Sequence, residues 1–254
     1  MKLQNKNVII TGAGKGLGEE IAKTFYSQGA SIIVCDRSGS VKKIENLQTD
    51  NLQNQKIYSL HCDISDRRSV DDLYKFAMSK FDRIDVLINN AGIPGPLGNI
   101  EEVNWDEWVE AININLIGTA YMCRKVIEIF RQQDKGKIVN LSGGGATTPL
   151  PGVSGYATPK AGLIRFTETL AEENKDKNIF INAIAPGALK TALTDKFFNA
   201  GPNVIGKKLY NTMEKIQKGE GTPLKIGALC ATFLASDESD GITGKLISAR
   251  WDPW

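Results

Sequence analysis

Apolar residues fall along this chain in short unbroken runs, separated by stretches that repeat at helical spacing. Val8-Ile9-Ile10 ends in Thr11-Gly12, and Ile32-Ile33-Val34 forms the next such run. Between them Ile21, Ala22, Phe25 and Tyr26 mark one face of a helix, and Gly29 closes it. The alternation continues, with strands expected at 56–63, 84–92, 136–142, 179–187 and 244–249. Helices are expected at 69–81, 104–132, 154–175 and 224–236. The strand runs are continuous rather than alternating apolar and polar, the pattern of strands covered on both faces.

Seven strands alternating with helices predict an α/β chain built on a single Rossmann-type, doubly wound parallel sheet with helices on both faces. No Pro/Gly/Ser linker or repeat divides residues 1–254, so one domain is expected. Residues 188–222 fit no strand and are long for a connection, which predicts a substrate lid.

Charge and cysteine usage narrow the function classes. A net charge of +2 and a pI near 8.2, with no long basic block, argue against a nucleic-acid partner. No run is long enough to span a membrane, and the N-terminus enters a strand with no signal-peptide core. The expected location is cytoplasmic. Cys35, Cys62, Cys123 and Cys230 are dispersed, and the single histidine, His61, has only Cys62 beside it. One such pair cannot complete a zinc site, so no metal is expected, and the thiols read as small buried hydrophobes.

Two features carry chemistry. The first is "TGAGKGLG", which follows the first strand and opens the first helix. The strict G-x-G-x-x-G spacing fails, because its last glycine would fall on Leu17; the spacing that holds is Gly12, Gly16 and Gly18. Glycines there permit a tight turn and close approach to a pyrophosphate, which a helix N-terminus then favours electrostatically. Asp36 ends the second strand, where a carboxylate accepts ribose hydroxyls and repels a 2′-phosphate. It favours NAD. Lys15 and Arg37 pull the other way and keep NADP open, unless Arg37 simply points to solvent.

The second feature is Tyr156 and Lys160, which share one helix face. A free phenol is too weakly acidic to exchange a proton at neutral pH, and a nearby ammonium lowers its pKa; a drop of about three units corresponds to roughly 4 kcal/mol. Pro159 is tolerated in a first helical turn, which places the helix start near 155–157.

These residues resemble the short-chain dehydrogenase/reductases of about 250 residues. The resemblance rests on the glycine turn at 11–18, Cys62-Asp63, Asn89-Asn90-Ala91-Gly92, Asn115, Tyr156-x-x-x-Lys160 and Pro186-Gly187-x-x-x-Thr191. It implies hydride transfer between a nicotinamide cofactor and an alcohol or carbonyl substrate. Tyr156 would be the acid/base, Lys160 would hold the nicotinamide ribose, and Asn115 a water leading to solvent. Asp63 and the backbone of Ile64 would meet the adenine, and Asn90, Ala91 and Gly92 the adenosine side. Thr191 and the backbone around Leu189 would hold the carboxamide, with Pro186 and Gly187 also in the cofactor site. The family's assemblies imply a homotetramer or homodimer built on helices 104–132 and 154–175.

The sequence departs from the family in two places. A serine is usual thirteen residues before the tyrosine; here that residue is Gly143. Ser142 or Thr147 could be turned inward by the run Gly143-Gly144-Gly145, or backbone N–H groups could serve. The ending is "GKLISARWDPW", and Trp251 and Trp254 are expected to pack on their own chain, on a neighbouring subunit or over the cleft. A nucleotide-binding sensor with little catalysis, supported only by Gly143, stays open. So does a sugar-modifying enzyme on the same platform, against which the chain's length counts. The lid's Phe197, Phe198, Leu209, Tyr210 and Met213 accompany Lys190, Lys196, Lys207 and Lys208, and the lysines lean toward a polar, sugar-type alcohol.

Overall fold

The computed structural model describes residues 1–48 and 55–254. Seven strands form one sheet: β1 (Asn7–Thr11), β2 (Ser31–Asp36), β3 (Ile57–His61), β4 (Val86–Asn89), β5 (Gly136–Leu141), β6 (Ile179–Ala185) and β7 (Leu246–Ser248). Their order is β3-β2-β1-β4-β5-β6-β7, and every neighbouring pair is parallel. Ile10 sits opposite both Val34 and Ile88, so β1 lies between β2 and β4. Strand order reverses between β1 and β4, and in such sheets the crevice beyond the strands' C-terminal ends takes the ligand. β1 and β2 extend beyond their apolar runs, β3 to β7 are shorter than the stretches expected for them, and Cys62, expected within a strand, lies just past the end of β3.

Alternate residues of each strand enter different apolar layers. Val8, Ile10, Ile32 and Val34 pack with α1 (Gly16–Ser27) and α8 (Leu224–Ala235). Ile9, Ile33, Leu87 and Ile138 pack with α2 (Arg67–Lys80) and α4 (Thr119–Gln133) on the other face. Burying each such side chain contributes roughly 1.5–3 kcal/mol, which is why the runs are unbroken. A polar thread crosses the second layer. Asn89 donates to Asn140 at 2.9 Å, and Asn140 to Thr167 at 2.9 Å, tying β4 and β5 to α5 (Ser154–Glu172).

The helix expected over 104–132 is present, with a local change of winding. α3 (Trp105–Ile112) passes into a π-helical turn at Asn113–Gly118 and then into α4. Asn104 caps α3 by accepting from the Glu107 N–H at 3.0 Å. α5 begins at Ser154, ahead of the expected 155–157, so Pro159 lies beyond the first turn. It cannot donate the bond that the carbonyl of Gly155 would accept.

Residues 188–222 hold two helices, α6 (Ala192–Ala200) and α7 (Pro202–Lys215), followed by a π turn at Ile216–Glu220. Phe198 stacks on Tyr210 at 5.3 Å, joining the two helices. The chain's last residues divide. Trp254 packs on Phe233 of α8 at 6.1 Å and donates to the Ala249 carbonyl at 3.1 Å. Trp251, expected to pack, is 75% exposed, with the Arg250 guanidinium laid 4.6 Å from its ring centre. Among the described residues no helix is long and apolar enough to cross a membrane.

Candidate active site

The glycine turn stands at the reversal point of the sheet. Gly12 has φ of 66°, and a Cβ there would meet the Ala91 Cα at 2.7 Å, so only glycine fits. Lys15 precedes α1, and no side-chain hydrogen bond caps that helix, so its first N–H groups have no side-chain partner there. The Lys15 side chain is exposed; that of Leu17 is buried in the core, so Leu17 offers the turn its backbone alone. Asn90 braces the turn by donating to the carbonyls of Thr11 at 3.1 Å and Gly12 at 2.9 Å. The Thr11 hydroxyl accepts from the N–H groups of Asn90 and Ala91 at 3.1 and 3.0 Å. Thr11 was not singled out by sequence reasoning, although a hydroxyl closing an apolar run was visible there.

At the ends of β2 and β3 lie two carboxylates. Asp36 accepts from the N–H and hydroxyl of Ser38, both at 2.7 Å, and from the Gly14 N–H at 3.3 Å. It therefore faces the turn. Arg37 does not point freely to solvent: its guanidinium lies 3.2 Å from Glu110 and 3.6 Å from Asp63. The bond to Glu110, with the charge of Asp63, raises the Arg37 pKa. Burial works against ionising Asp63, but bonds from Ser65 and the charge of Arg37 prevail and hold its carboxyl below the usual range. Ile64 is buried beside it. Glu110, on α3, had no signal in the sequence.

Across the crevice, Tyr156 and Lys160 rise from one face of α5 and are both buried. The Lys160 ammonium donates to the Leu141 carbonyl at 2.6 Å and lies 5.8 Å from the Tyr156 ring centre. Asn115 sits in the π turn, its amide locked on the backbone of Ile93 by two 2.8 Å bonds, one given and one accepted. A Cβ built on Gly92 would lie 2.9 Å from the Asn115 Oδ1 and 3.6 Å from the Lys160 Nζ, so these groups converge on one spot. The electrostatics differ from the sequence expectation. Burial pushes the Tyr156 phenol up to about 12 and the Lys160 amine down to about 8, so desolvation outweighs the expected pull of the ammonium.

Gly143 occupies the place beside the phenol. A Cβ there would start 2.3 Å from the Tyr156 hydroxyl oxygen. Ser142 is buried, its Oγ has no hydrogen-bond partner, and it is not bonded to Tyr156. Thr147 is exposed.

Beyond β6, Pro186 is buried and Gly187 exposed. Leu189, buried, pairs with Thr222, and Thr191 caps α6, its Oγ1 accepting from the Thr194 N–H at 3.4 Å. Thr191 also faces the glycine turn: a Cβ on Gly16 would meet its methyl at 3.5 Å. The structure thus brings the turn, Asp36, Asn90 to Gly92, Thr191 and the Tyr156–Lys160–Asn115 group to one edge of the sheet.

Known proteins resemble this chain in sequence and in fold. The short chain dehydrogenase family profile matches residues 6–201. A 3-oxoacyl-[acyl-carrier-protein] reductase of Thermotoga maritima is 34% identical over 97% of both chains. A 3beta-hydroxysteroid dehydrogenase of Eggerthella lenta is 34% identical over 96% of this chain and 92% of its own. Among solved structures, a 3-ketoacyl-(acyl-carrier-protein) reductase of Brucella melitensis, complexed with NADH, superposes with a TM-score of 0.84 at 29% identity, covering 97% of each chain. The chain belongs to the short-chain dehydrogenase family.

Proposed function

We propose that this protein is a nicotinamide-dependent oxidoreductase that interconverts an alcohol and a carbonyl compound, with Tyr156 as acid/base. The observation that carries the reading is the convergence of buried Tyr156, Lys160 and Asn115 at the edge where an uncapped helix N-terminus opens. The residues fit a dinucleotide. The free N–H groups of α1, with Lys15, suit its pyrophosphate, Asp36 a ribose diol, Asp63 and the Ile64 backbone an adenine, and Asn90, Ala91 and Gly92 the adenosine side. Thr191 and the backbone around Leu189 suit the carboxamide, with Pro186 and Gly187 beside them in the cofactor site. When bound, its nicotinamide ring supplies the hydride acceptor or donor.

Tyr156 holds its proton, the state that gives a proton to a carbonyl oxygen. Lys160 has used one donor on Leu141 and keeps others for ribose hydroxyls. Asn115 positions Ile93 and the strand end rather than touching the proton itself. Ser142, buried without a partner, is the nearest candidate in sequence to replace the missing serine after a rotamer change. Residues 188–222 act as the lid, and the chain works as one domain, as a dimer or tetramer.

NAD is the favoured cofactor, because Asp36 faces the turn and Arg37 is engaged by two carboxylates rather than free for a 2′-phosphate. Incubation with NAD and an alcohol panel, followed by nicotinamide absorbance, tests the reading. Growth of the reduced-cofactor band supports it. Cofactor binding without any turnover favours the second reading, a nucleotide-binding sensor, for which Gly143 is the motivating observation.

A further inference from the structure

The lid presents one chemistry to Tyr156 and another to solvent. Phe197 meets the Tyr156 ring edge-on, with centres 5.7 Å apart and planes at 76°. Ile205, Met213 and Ile216 are buried in the same cluster, as is Val153. Lys190, Lys196, Lys207 and Lys208 of the lid are either bonded within the protein or exposed. Lys190 is bonded to Gln217, whose amide donates to Asp195 at 2.6 Å. Lys196 donates to the Gly95 carbonyl at 3.2 Å, and Lys207 and Lys208 are exposed. The lean toward a sugar-type substrate is drawn from these lysines; Lys190 and Lys196 have their ammonium groups on Gln217 and the Gly95 carbonyl, whereas Phe197 lies on the phenol itself.

We propose that the substrate carries its reacting hydroxyl or carbonyl on an apolar body, a carbon ring system or chain, and is not a polyol. This rests on Tyr156 being the acid/base. A substrate that reaches the phenol must part the lid from it and then lies against the lid face that now covers Tyr156. That face has the ring of Phe197, backed in the same cluster by the buried side chains of Ile205, Met213 and Ile216. It can cover a carbon skeleton closely, but it leaves extra hydroxyl groups without partners. An apolar pocket discriminates against one added hydroxyl by about 10²-fold.

The test uses the full chain with NAD and four alcohols: 2-decalol, cyclohexanol, sorbitol and glucose. The expected result is a kcat/KM for 2-decalol at least about 100-fold above that for either sugar compound. Phe197→Asn should lower the decalol value by about tenfold or more, with NADH affinity unchanged. A second readout needs no turnover: 2-decalone should raise the thermal midpoint of the protein, and sorbitol should not. Oxidation of sorbitol or glucose at rates equal to or above those of decalol overturns the substrate assignment and leaves the oxidoreductase reading standing. Failure to oxidise all four while NADH binds, with no midpoint shift from decalone, overturns both.

Discussion

The Tyr156 hydroxyl fills the space in which a side chain at residue 143 would begin: a Cβ on Gly143 would lie 2.3 Å from its oxygen. The glycine is thus fitted to the phenol and is not a neutral loss of serine. Gly143→Ala should push the hydroxyl back by about 1 Å, and a misplacement of that size costs about 10²-fold in turnover. NADH affinity should stay unchanged, since residue 143 touches the phenol end of the crevice. Turnover at the wild-type level in this variant would contradict the fit.

Ser142 separates stability from chemistry. Its hydroxyl is buried and unpartnered, so it carries a desolvation cost with no bond to offset it. Ser142→Ala should leave thermal stability unchanged or slightly raised. If Ser142 donates to the substrate oxygen, the same variant should lose about 10²- to 10³-fold in kcat. Unchanged turnover would eliminate it and direct attention to the backbone N–H groups of residues 143–145.

Glu110 withholds Arg37 from the ribose end of the crevice. Glu110→Gln should raise NADP affinity while leaving NAD affinity as it was, measured by fluorescence titration. Both partners are about half exposed, at 53% and 49%, so the pair is worth about 1 kcal/mol or less, and the gain should be roughly fivefold at most. Weaker NAD binding with no gain for NADP would show Glu110 acting on the fold instead.

Lys160 links stability to pH. Burial lowers its pKa to about 8 in the folded chain, from 10.5 for the unperturbed group. The unfolded chain therefore binds more protons between those values, and folding stability rises with pH across the window. The gain is present above about 10.5 and lost as pH falls to about 8, with a magnitude of about 3 kcal/mol. Wild type should gain stability relative to Lys160→Met between pH 8 and 10, read as the difference in denaturation midpoints. Parallel pH curves for the two proteins would contradict the buried ammonium.

The sheet was legible because both of its faces are buried, which writes each strand as an unbroken apolar run. The glycine turn, Asp36 and the Tyr156–Lys160 spacing were legible because backbone geometry and helix periodicity restrict which residues serve there. Glu110 was not, since its link to Arg37 joins α3 to the end of β2 and no local pattern marks it. The π turn at Asn115 was hidden for a related reason: the extra residue per turn is set by packing, and the apolar spacing around it still reads as one helix. The direction of the Tyr156 shift also escaped, because it depends on how deeply the phenol is buried.

The most direct test of the central claim is Tyr156→Phe, assayed for turnover of any active alcohol and for NADH affinity. The account predicts turnover reduced by at least about 10²-fold, with NADH bound as tightly as by wild type. Turnover that survives the loss of the hydroxyl would contradict it.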